Sequence, residues 1–276
     1  MVPQLSIIFM IISAAVGIIL PIAVCLYLRI RKRADLPPFV IGCVVFFLFA
    51  LILESMVHQL VLVRSPAGET IQNTAWLYAL YGGLMAGLFE ETGRYLAFKT
   101  VMKRYGGKDV NALMYGIGHG GIEAILLLGF AMISNITVSL MINSGTASQL
   151  TENLSGDALT QMQSSIDLLK TTPSYMFLLG GVERLSALTI HMALSVFVWF
   201  SVFRENKLGL YIIAILLHAL VDGLTVIFQS TGMNTVLLEA CVVAMAICIA
   251  LYAVKLWKDN HIEPVTETDS VTETDE

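Results

Sequence analysis

The chain has 276 residues, 57% of them hydrophobic and only 13% charged, with a mean hydropathy of +0.78. Soluble domains carry about 25% charged residues, so this composition excludes an ordinary soluble fold and describes a polytopic membrane protein. The formal charge of −5 is local: from Glu263 onward there are six acids and no base, while the rest holds 16 bases against 15 acids. No basic patch with interleaved aromatics is present, which excludes nucleic acid as a partner.

Residues 5–28 form the first apolar run. It is longer than the roughly 7–15 residues of a signal-peptide core, lacks a basic stretch before it and a small-residue cleavage site after it, and is expected to stay as a membrane helix. Further runs cover about 38–63, 75–99, 112–142, 173–203, 208–228 and 235–256. Each is near the roughly 20 residues a bilayer requires. An all-α, polytopic transmembrane helix bundle of about seven spans follows. The fourth run is long enough to tilt, or to break near Gly118, Gly120 and Gly121.

Charge sets the orientation. Alternate ends hold Arg29, Arg31, Lys32 and Arg33; Lys99, Lys103, Arg104 and Lys108; Arg204 and Lys207; Lys255 and Lys258. The other side has only Arg64 and Lys170. The positive-inside rule then puts the N-terminus outside and the C-terminus in the cytoplasm, in a protein integral to the cytoplasmic membrane.

Residues 1–260 form the membrane domain on this reading. Its external loop, 144–172, carries Leu150, Leu154, Met162, Ile166 and Leu169 at near-helical spacing, as a segment lying on the membrane surface would. Residues 261–276 form an acidic cytoplasmic tail that repeats VTETD at 265–269 and 271–275 and is expected to be disordered. Cys25, Cys43, Cys241 and Cys248 all lie in apolar runs and read as small buried hydrophobes.

The chemistry lies in charges placed among apolar residues. An ionisable group at a bilayer centre costs roughly 2.5–3.5 kcal/mol on the insertion scale and defaults to a functional role. The third run carries Glu90, Glu91 and Arg94, with both acids within helical reach of the guanidinium. One acid paired to Arg94 would leave the other, desolvated beside a like charge, to act as a proton acceptor. The fourth run holds His119 and Glu123 and the sixth His218 and Asp222, each pair at i and i+4. In the fifth, Arg184 and His191 share a face, with Glu183 displaced by about 100°. Counted at 1.5 Å per residue, the groups on the third, fourth and sixth runs meet at one depth, slightly cytoplasmic of the midplane. Glu54 and His58, near the external end of the second run, read as structural.

At these residues the sequence resembles the glutamic-type intramembrane proteases, a clan that includes CAAX-processing and PrsW-type enzymes. The matching stretches are Glu90-Glu91-Thr92-Gly93-Arg94, His119-Gly120-Gly121-Ile122-Glu123 and His218-Ala219-Leu220-Val221-Asp222. Within that clan it looks most like the bacterial YhfC family, described as intramembrane metalloproteases. The base is Arg94 where PrsW has lysine, His119 replaces a phenylalanine, and Asp222 replaces the asparagine of CAAX enzymes. The added imidazole and anionic Asp222 favour a metal site, since His/carboxylate sets suit zinc.

The resemblance implies an intramembrane endopeptidase acting on a membrane-embedded or membrane-associated polypeptide. Without metal, Glu90 would be general base on a water positioned by His119, Glu91 would pair with Arg94, and His218 held by Asp222 would stabilise the oxyanion. With zinc, the ligands would come from His119, Glu123, His191, His218 and Asp222, and Glu90 would still take the proton. The sequence has no HExxH and no Gly-x-Ser-x-Gly. The rival class is a proton- or metal-coupled transporter or channel, because intramembrane acids and histidines also build relays. A haem protein with paired histidines and a non-catalytic scaffold complete the alternatives.

Overall fold

A computed structural model describes residues 1–262; the acidic tail from residue 263 lies outside the described residues. Among the described residues the chain is helical, without strands. The long helices are α1 (Gln4–Arg31), α2 (Pro37–Val63), α3 (Ala75–Lys99), α4 (Val110–Ser144), α5 (Gly156–Thr171), α6 (Ser174–Phe203), α7 (Gly209–Ser230) and α8 (Thr235–Asn260). All but α3 and α5 are long and apolar enough to cross a membrane. Helix α3 matches them in length and differs by the charges it carries in its second half, so the bundle has about seven spans. Helix α5 lies in the loop between α4 and α6 and buries Ile166 and Leu169. Leu169 packs with Val2, Met10 and Phe177, so this segment is tied to the bundle end.

Small residues let the helices approach closely, as lipid offers no hydrophobic drive between them. On α3, a Cβ at Gly83 would stand 2.4 Å from the Ala219 carbonyl of α7. Gly42 of α2 meets the Tyr115 carbonyl and the His119 amide of α4 in the same way. Helix α6 is the central one: from Ala193 to Ser201 every residue is buried. Its Phe197, Trp199 and Phe200 anchor the largest apolar cluster.

Gly83→Ala is expected to destabilise the protein by about 1–3 kcal/mol, because backbone cannot yield as a side chain does. Gly82→Ala, with nothing within 4 Å, is expected to be neutral or better. Thermal unfolding of both variants in the same detergent checks the contrast.

Two expectations are corrected. Of the two alternatives for the long fourth run, tilt or break, the break does not occur: α4 continues through its glycines, and a wide π turn comes just after them, at Ile125–Gly129. The glycines serve contact instead, Gly118 against Phe39, Gly120 against the His191 ring and Gly121 against Pro21. Nor are all four cysteines buried: Cys25 is, Cys43 and Cys241 are half-buried, and Cys248 is exposed, on a face of α8 that lipid covers at no cost.

The basic residues gather at one end. There Lys108 pairs with Asp35 at 2.8 Å and Arg204 with Asp109 at 2.7 Å. At the opposite end the Val2 amide donates to Asn143 Oδ1 at 2.7 Å, joining the start of the chain to the end of α4. The basic end is the cytoplasmic one by the positive-inside rule.

Candidate metal centre

Adjacent residues on a helix point about 100° apart, so Glu90 and Glu91 must face different neighbours. Glu91 turns to Arg94, three residues on, and also accepts from His218 Nδ1 of α7 at 2.8 Å. Both Glu91 and Arg94 are fully buried. Glu90 turns to α4, where His119 Nε2 lies 2.8 Å from its Oε2.

His119 is fully buried, edge-on to Phe46 at 5.3 Å between ring centroids. Its other nitrogen, Nδ1, has no hydrogen-bond partner. Next to it stands His191 of α6, with ring centroids 5.0 Å apart. His191 Nδ1 accepts from Arg94 Nη2 at 3.3 Å and lies 3.8 Å from Glu90 Oε2. His218 follows, its ring 5.5 Å from that of His191. Three imidazoles from three helices thus stand in a row.

Glu123 sits behind His191. Its Oε2 is 2.7 Å from His191 Nε2. Its Oε1 accepts from Arg184 Nη1 at 2.5 Å, and Arg184 also pairs with Glu183. Asp222 Oδ2 is 3.5 Å from His218 Nε2, and its side chain stays 42% exposed.

Glu90, His119 and His191 each offer one ligand atom, all within 4.8 Å of one another, and all three residues are buried. Of the sequence-predicted ligands, His119 and His191 stand in this cluster. Glu123 lies one contact away, His218 is held by Glu91, and Asp222 lines a cavity. Glu90, expected as a base beside the ligands, stands among them.

The cavity, about 210 Å³, lies between α6, α7 and α8 and is lined by Glu90, His191, His218 and Asp222 at its inner part. From there it passes Thr225 and reaches Gln229 and Glu239, residues near the α7–α8 turn and so near the external side. Glu239 was not anticipated. It is buried, and its Oε2 has no partner. The sequence does carry a signal for it: Glu239 is the lone charge in an apolar run that extends to Lys255. Glu54 and His58 form a separate pair, with His58 Nδ1 2.9 Å from the Tyr81 hydroxyl.

No solved structure is similar enough to this chain to match it. The chain is 39% identical over 254 residues to the uncharacterized membrane protein YhfC of Bacillus subtilis (strain 168), covering 91% of this chain and 96% of that one. With its apolar helices, this makes it an integral membrane protein. A family model described as YhfC intramembrane metalloprotease matches residues 16–243. The chain belongs to that family.

Proposed function

We propose that the protein is an intramembrane endopeptidase whose zinc ion is held by Glu90, His119 and His191, and that it hydrolyses a peptide bond of a membrane polypeptide. The convergence of those three buried side chains from three helices carries the reading. Two imidazoles and a carboxylate form a known catalytic zinc set, which leaves a fourth position for substrate or water. At bonds of 2.0–2.1 Å, tetrahedral ligand atoms stand about 3.3 Å apart. Glu90 Oε2 lies 2.8 Å from His119 Nε2 and 3.8 Å from His191 Nδ1, distances that straddle that spacing; to ligate through Nδ1, His191 would exchange its hydrogen bond from Arg94 for the metal.

Zinc bound there supplies Lewis-acid activation of water and of the scissile carbonyl at neutral pH. The protein does the rest. Glu123, fixed by Arg184, holds His191 from behind, as outer carboxylates orient metal-binding imidazoles. Arg94 is anchored by Glu91 and keeps the inner wall rigid. His218, held on Nδ1 by Glu91, has Asp222 3.5 Å from its Nε2 at the cavity wall. That pair carries the proton released by the attacking water to the departing amine. The cavity leads substrate in from the external half of the bundle.

Asp222→Asn is therefore expected to slow cleavage by about 10²-fold or more while leaving the metal bound, which metal analysis alongside turnover checks. The function itself is tested by comparing protein N-termini in host membranes expressing wild type or His119→Asn at matched levels. A new terminus near a transmembrane segment, seen only with wild type, supports the protease. Identical termini across growth conditions would overturn it and direct attention to proton or metal flux in liposomes.

A further inference from the structure

A second cavity lies at the cytoplasmic end, on the far side of the bundle from the outward-leading one. It measures about 1040 Å³ and is bounded by the end of α1, the start of α4 and the end of α8. Its walls divide by chemistry. Lys32, Arg33 and Lys108 form the cytoplasmic rim, while Leu28, Leu113, Met192 and Trp257 form an apolar floor. Leu113, Met192 and Trp257 also line an adjoining groove of about 410 Å³, which continues between α6 and α8 past Val196 and Ala250 to Thr189. Basic rim, aromatic boundary and apolar groove follow one another from cytoplasm into the membrane.

Among the described residues, the charges at the rim are not balanced from within. Asp109 lies in the wall but already accepts from Trp199 Nε1 at 2.8 Å, Arg204 Nη2 at 2.7 Å, His261 Nδ1 at 2.9 Å and the Ile262 amide at 3.1 Å. Lys108 is matched by Asp35. Among the described residues, Lys32 and Arg33 make no side-chain hydrogen bond or ion pair, so two cations face the cavity unmatched. Arg33 is also one of two non-glycine residues with positive φ, at 54°. Just past a helix end that conformation favours glycine. Arg33 holds that conformation against the backbone preference.

We propose that this cavity binds an anionic phospholipid, with the phosphate at Lys32 and Arg33 and an acyl chain along the groove between α6 and α8. The charge of the rim selects the anionic head, as basic pockets between membrane helices on the cytoplasmic side do. The apolar floor accounts for the chain. The acidic segment from residue 263 is the competing occupant, since it follows His261 of the cavity wall by two residues in sequence. Its twelve-residue run from Val265 has only two valines and no other apolar residue, so it matches the rim and not the groove.

Native mass spectrometry of the full chain, taken from membranes containing phosphatidylglycerol and phosphatidylethanolamine, tests this. Wild type is expected to retain phosphatidylglycerol in preference. Arg33→Gly and Lys32→Gln should each weaken that retention about fivefold. Arg33→Gly relieves the backbone, so it should keep or raise the melting temperature measured without lipid, which separates lost binding from lost fold. Truncation after Ile262 should leave retention unchanged. Equal retention of the two lipids, undiminished retention in both variants, or phosphatidylglycerol binding only after truncation would each overturn the proposal.

Discussion

Glu90→Gln is expected to remove both the metal and the activity. Glutamine keeps the shape of the side chain and its contact with His119, but it loses the only negative charge in the three-residue set. A catalytic zinc site of two imidazoles depends on that third ligand. With one of three protein ligands and the only anionic one gone, metal content should fall from about one ion per chain to a small fraction of that. Cleavage should fall with it, on the order of 10³-fold or more. Metal analysis of purified protein and a cleavage assay measure the two losses side by side. If cleavage is lost while the metal stays, Glu90 is the base that takes the proton and the ligand set must be redrawn around His119 and His191.

Arg94→Met is expected to cost about 3–5 kcal/mol of stability. Arg94 and Glu91 are both without solvent exposure. Removing the guanidinium leaves the Glu91 carboxylate buried with only His218 as partner, and it also strips His191 Nδ1 of its donor. The double variant Glu91→Leu with Arg94→Met should regain part of the loss, because an apolar pair buries no unmatched charge. The recovery should stay incomplete, since His218 then loses its acceptor. Unfolding of the single and double variants in detergent gives the coupling; a single variant as stable as wild type would show that the pair is not the keystone described.

Membrane character, helical class and the outlines of about seven spans were legible in the sequence. Apolar runs of bilayer length and twelve bases on one side against two on the other are properties of composition and order. Even α3, whose charges spoil its apolar run, could be assigned from its length and flanks. The candidate residues were legible as well, because a charge among apolar neighbours is conspicuous wherever it stands. Glu239 carried that signal and went unread, being single rather than part of a spaced pair.

The partners were not legible. Spacing suggests that His119 looks to Glu123 and Glu90 to Arg94. In the folded chain Glu90 meets His119, Glu123 meets His191, and Arg94 is shared by Glu91 and His191. An i to i+4 relation places two residues on one helix face; it does not say what stands opposite that face. That is decided by how closely the helices approach, and here the approach is set by glycines such as Gly120, which lets the His191 ring lie against α4. The sequence by itself determined a membrane bundle with acids and imidazoles at one depth. Only the tertiary structure decided which three of them share a point, because close packing across helices selects partners that separation along the chain cannot specify.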